Sequence, residues 1–183
     1  MSSPALPSAS DVVAFWREAG PKRWFAKSDA FDDTFRSTFI DTHEAAAAGH
    51  LSAWSQDVEG SLALLILLDQ FPRNAFRGRA RMFAADAQAR DVARAAVAAG
   101  FDRQVDEALR PFFYMPFMHS ESLDDQKRCV ALCQPLDDDT RRFAVMHRDI
   151  VERFGRFPHR NEVLGRESTA AEKRFLAEGG FKR

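Results

Sequence analysis

Lysine, cysteine, tyrosine and long apolar runs are all scarce in this chain, and each scarcity removes a class of function. Only five of the 26 basic residues are lysines, and 27 acidic residues bring the formal net charge to −1. The isoelectric point lies near 6.5. Without a basic field to hold a polyanion, nucleic acid is not an expected partner. The cations are therefore mostly arginines, whose planar fork suits anion recognition, although an Arg- and Ala-rich background explains those on ordinary helix faces. The two cysteines, Cys129 and Cys133, stand four apart, with no further cysteine to complete a zinc set. They read as small buried apolar residues of a reducing compartment. The longest apolar run, residues 62–68, falls far short of the ~20 residues that cross a bilayer. Residues 1–10 are small and polar, without the basic start and apolar stretch of a signal peptide, and are expected to be a disordered lead-in. The expected location is the cytoplasm, with no membrane partner. No Gly-rich phosphate loop, Gly-x-Ser-x-Gly or dinucleotide fingerprint occurs, so no cofactor is expected.

What the chain has in quantity is phenylalanine, 17 residues against one tyrosine and three tryptophans. Phe has no polar tip to satisfy, so these rings are expected to fill a core. Phe31, Phe35 and Phe39 recur at steps of four, the spacing of one helix face. Residues 62–68 are apolar all round and rich in Leu, which favours a buried central helix over a strand. Sustained β-branched alternation is absent. The expected fold is all-α, an antiparallel array of helical hairpins with no sheet. At 183 residues the chain suits one domain, residues 11–183, in which residues 11–56 could form an N-terminal helical subdomain. Helix stops are expected near Gly20-Pro21, Gly49, Phe71-Pro72, Gly100, Pro135 and Gly155. A kinked or broken helix is expected around Pro116. The cap residues read as Ser10, Ser28, Ser122 and Thr169, the last with Glu172 in a capping box. The expected core comprises Phe35, Phe39, Leu64, Leu65, Leu68, Phe83, Phe113, Phe143, Ile150 and Phe154.

One short echo stands out. Phe71-Pro72-Arg73-Asn74 is followed by Gly78-Arg79, and Phe157-Pro158-His159-Arg160-Asn161 by Gly165-Arg166. Two similar helix-stop turns would explain Pro, Asn and one Arg. They do not explain a second Arg after a Gly in each copy.

These segments, with residues 67–70 ahead of the first copy, Pro116-Phe117-Met118-His119-Ser120-Glu121, and Trp24-Phe25 and Phe31-Asp32 near the start, resemble the family called domain of unknown function 924. The resemblance spans nearly the whole chain. It implies a tetratricopeptide-like helical fold and brings no settled activity, and fold alone supplies none.

The candidate ligand-binding set is Asp69, Arg73, Asn74, His119, Glu121, His159, Arg160, Asn161 and Arg166. His119 or His159 with Glu121 are the candidate acid–base groups, whereas Ser120 or Ser122 capping the next helix, with Glu121 at its N-terminus, is the plainer reading. Asp69, closing an apolar helix, needs a partner such as Arg73 or Arg77. His147 reads as a core or boundary histidine, and His43 and His50 as surface. No metal is expected, since no pair among His119, Glu121 and His159 has helical i,i+4 spacing. Three functions remain open. The first is a binding module whose polar, Arg-rich pocket takes a small anionic metabolite or an acidic peptide. The second is a small hydrolase- or lyase-like enzyme. The third is a structural or interaction protein.

Overall fold

The computed structural model describes residues 5–180, and among them helices and turns account for all regular structure, with no strand. The fold is all-α. The chain forms two compact units, one running up to Arg77 and including Arg81–Pro116, the other made of Gly78–Ala80 and the chain from Phe117 onward.

The first unit opens with α1 (Ala9–Ala19). Its cap is Ser8, closing a capping box with Asp11, so the helix starts two residues before the expected Ser10 cap. Residues 1–4 of the expected lead-in lie outside the described residues. Gly20 ends α1 at φ 69° and leads into the short α2 (Pro21–Trp24). Ser28 caps α3 (Asp29–Ala47), whose Phe31, Phe35 and Phe39 form one buried stripe. Phe15 of α1 stacks on this stripe, 5.3 Å from Phe35. Trp16, Phe35, Phe71 and Phe112 lie fully inside the same aromatic core.

A 3-10 turn (Ser52–Gln56) precedes α4 (Val58–Leu65). The backbones approach so closely there that a Cβ on Gly60 would lie 2.1 Å from the Trp54 carbonyl oxygen. Pro72 does not end the central helix as expected. The chain widens into a π segment (Ile66–Gln70) and continues as α5 (Phe71–Ala75). The reason lies in proline chemistry. In a regular α-helix the Pro72 ring would clash with the carbonyl four residues back. The π turn relieves this by sending the Phe71 N–H to the Ile66 carbonyl, five residues back. Pro72 has no N–H to give the next carbonyl in that pattern, Leu67. His43 fills the gap with its Nδ1, 2.9 Å from the Leu67 oxygen. His43, expected on the surface, is 4% exposed and stacked on Phe71.

A 3-10 turn (Ala80–Phe83) is followed by α6 (Asp86–Ala98), and Phe83, expected in the core, is half-buried. Gly100 follows in the left-handed conformation. Of the kinked or broken helix expected around Pro116, the break does not occur: α7 (Pro111–Met118) runs through that proline.

In the second unit, Ser122 caps α8 (Leu123–Cys133), which pairs with α9 (Asp138–Phe154). Both cysteines are buried. The buried face of α9 is Ala144, His147, Ile150 and Val151. Ile150 and His147 lie on this face as expected, but two expected core rings do not: Phe143 is 38% exposed and Phe154 half-buried. Gly155 stops α9 at φ 70°, and the Thr169–Glu172 capping box opens α10 (Ala170–Ala177) as expected.

Candidate functional site

The first Phe-Pro segment builds a buried ionic cluster. Because Asp69 and Arg73 are four apart on the continuing helix, they face each other, with the guanidinium 3.2 Å from the Asp69 carboxylate. Arg73 also donates to the Asp69 carbonyl (2.8 Å) and, through both terminal nitrogens, to Asp86 (2.9 and 3.1 Å). Gln70 donates to Asp69 at 2.7 Å. Burial disfavours the Arg73 charge, but the charges of Asp69 and Asp86 outweigh it and raise its pKa. Asn74 donates to Asp32 at 2.7 Å, and Arg77 holds the same carboxylate from the other side at 2.6 Å. Of the partners, Asp86 carried no sequence signal, whereas Gln70 lay in the 67–70 segment ahead of the first copy. Asp32 also carried one, as half of the Phe31-Asp32 pair.

The second Phe-Pro segment forms a 3-10 turn (Pro158–Arg160) after Phe157. Here Glu121 is the centre. Arg166 donates to both its oxygens (2.7 and 2.9 Å), and the Phe157 backbone N–H donates at 2.8 Å. Arg166 reaches this position because the loop closes on itself, its N–H bonded to the Asn161 carbonyl at 2.7 Å and Gly165 turning at φ 64°. Burial raises the Glu121 pKa, but the hydrogen bonds from Arg166 and Phe157, with the charges of Arg166 and Arg160, bring it below the ordinary value. Glu121 is thus held ionised as an acceptor, a poor general base.

Around this pair, Arg160 donates to the His119 carbonyl (2.8 Å) and lies over the Phe157 ring. Asn161 donates to Ser168 at 3.0 Å. Ser120 donates to Asp125 at 2.7 Å, while Gln126 donates to the carbonyls of Phe117, Met118 and Ser120. The Gln126 amide thereby ties down the chain that leaves α7. His119 is buried, its ring 6.3 Å from that of His147, and half-buried His159 packs 5.5 Å from Phe157. Buried His147 has its Nδ1 2.7 Å from the Phe143 carbonyl. His119, Glu121, Arg160, Asn161 and Arg166 thus share one network in this unit, and Asp69, Arg73 and Asn74 occupy the polar clusters of the other. Among the described residues, no three His, Cys, Asp or Glu side chains gather as metal ligands, and no helix is long and apolar enough to cross a membrane.

No curated protein matches the chain. The solved structure of a protein of unknown function from Agrobacterium tumefaciens is 53% identical to it. The match covers 93% of this chain and 97% of that one, with a TM-score of 0.92. The profile described as bacterial protein of unknown function, DUF924, matches residues 12–180. The chain belongs to the DUF924 family.

Proposed function

We propose that this protein is a helical binding module for an acidic group, carried by a small anionic metabolite or an acidic peptide end. Loop 157–166 would be its recognition element. One observation carries this reading: three N–H donors, two from Arg166 and one from the Phe157 backbone, converge on a single carboxylate at 2.7 to 2.9 Å. The Arg166 and Glu121 side chains keep 24% and 29% of their surface in water, so the cradle is reachable. Charge-assisted bonds of this kind are roughly twice as strong as neutral ones. Glu121 sits where a ligand carboxylate would sit, and exchange between the two is the binding event. Among the described residues, Arg166 Nε and Asn161 Oδ1, both buried, have no hydrogen-bond partner and could serve a larger ligand. The tetratricopeptide-like stacking implied by the family resemblance is part of the same proposal, since helical hairpins would supply the groove.

A second reading has its own support. Arg73 and Arg160 are both buried against protein acceptors, as expected of a structural or interaction protein whose polar clusters are architecture. An NMR titration of the isotope-labelled protein with citrate, against chloride at matched ionic strength, separates the two. Binding predicts saturable shifts of the Phe157 amide and the Arg166 Nε–H, weakened in Arg166→Lys, which keeps the charge and loses the fork. Resonances that move no more with citrate than with chloride favour architecture.

A further inference from the structure

We propose that the cleft between α1, α2 and the first turn of α3 is a separate ligand site for a small zwitterion with a planar apolar side chain, the chemistry of a free aromatic amino acid. The cleft holds about 380 Å³, within the usual range for small-molecule sites. Its lining includes Phe15, Glu18, Arg23, Ser28, Phe31 and Thr34. The rings of Phe15 and Phe31 stack 5.6 Å apart at 21° and give it an aromatic floor. Phe15 is only half-buried, so it offers that floor to an incoming ring.

The charges at its rim set the ligand class. Several other arginines of this unit have acidic partners: Arg17 has Asp106, Arg77 has Asp32 and Arg81 has Glu44. Among the described residues, the Arg23 and Glu18 side chains take part in no ion pair or hydrogen bond, although both line one cleft. A ligand carrying only an anion would meet Arg23 but place its charge near the Glu18 carboxylate. One carrying only a cation has the opposite conflict. A zwitterion answers both charges, its carboxylate to Arg23 and its ammonium to Glu18. Ser28 adds a donor to the carboxylate side. Its oxygen accepts only a long 3.4 Å bond from the Phe31 N–H, leaving its hydroxyl hydrogen to the ligand. The Thr34 hydroxyl already donates to the Ala30 carbonyl and contributes shape.

This site is independent of the Glu121 cradle, and the two stand or fall separately. The test is an NMR titration of the full chain with L-phenylalanine as probe, beside 3-phenylpropionate and phenethylamine, each lacking one charge. The expected result is saturable movement of amides in residues 15–34, with either analogue about tenfold weaker or worse. Glu18→Gln should make L-phenylalanine and 3-phenylpropionate bind alike, and Arg23→Gln should do the same for L-phenylalanine and phenethylamine. Both residues are exposed, so neither change threatens the fold. The proposal is overturned if L-phenylalanine causes no saturable movement, if the analogues bind as well, or if both variants leave its affinity unchanged.

Discussion

Arg73 keeps its charge inside the first unit because Asp69 and Asp86 both meet it there, at 3.2 and 2.9 Å. Removing it leaves two carboxylates in a place water does not reach. Arg73→Ala should therefore cost about 3–5 kcal/mol in urea denaturation, as for other broken buried pairs. A loss no larger than that of an exposed arginine would mean the cluster is not cohesive. His43 makes a second residue-scale prediction. Burial lowers its pKa, the Leu67 carbonyl partly restores it, and the charge of Arg81 lowers it further. With the folded value below the ordinary one near 6.5, the unfolded chain binds the proton more readily. Stability from this residue is thus complete above the ordinary value and is lost as pH falls through it toward the folded value. His43→Asn keeps a donor for Leu67 but cannot titrate. The urea midpoint of the wild type should fall more steeply than that of His43→Asn as pH drops below neutrality. Parallel curves would contradict a His43 pKa lowered by burial.

Gly60 governs the joint between the 3-10 turn and α4, since any Cβ there meets the Trp54 carbonyl. Gly60→Ala should destabilise by about 1–3 kcal/mol, the usual cost of overpacking, although alanine is the better helix former. A neutral result would show the joint can shift. At the other end of the chain, the Arg156 hydrogen bond, resisted by burial and reinforced by Thr169, holds Glu172 down to about 2. Its contribution to the α10 cap is present above the ordinary carboxylate range and is lost as pH falls toward about 2. Glu172→Gln should cost about 0.5–2 kcal/mol near neutrality, in the range of lost caps, and little near pH 2. What sequence reading captured at this scale was local. Glycine stops at 20, 100 and 155, the Ser28 and Ser122 caps and the Thr169–Glu172 box depend on neighbours a few residues away. The misses were long-range. Periodicity cannot encode an i→i+5 turn, so the π segment before Pro72 stayed hidden. His43 looked exposed at an Ala-rich helix end because the carbonyl that buries it is 24 residues away. On α9, hydrophobicity put Phe143 in the core, whereas the structure buries its small neighbour Ala144 beside His147, whose core placement was legible. In the candidate site, Glu121 and Arg166 both stood in the motifs singled out, yet their pairing across 45 residues was not legible.

For the molecule as a whole, the all-α class followed from helical spacing and the missing β alternation, and far-UV circular dichroism should show helix without a strand component. The aromatic interior sets stability. Phe157→Ala, at a fully buried ring, should cost about 3–5 kcal/mol, whereas Phe143→Ala should cost far less. Equal losses would put the α9 face back where hydrophobicity placed it. The functional claim is that the Arg166–Phe157 cradle takes an exchangeable carboxylate. Glu121→Ala vacates that cradle, and acetate is the smallest probe that can refill it. In thermal unfolding, Glu121→Ala should melt below the wild type and recover stability saturably with acetate, beyond any effect of equal chloride, as a ligand of the folded state does. Adding Arg166→Lys should abolish the recovery. If acetate and chloride act alike on Glu121→Ala, the cradle does not exchange its occupant, and the binding account is wrong.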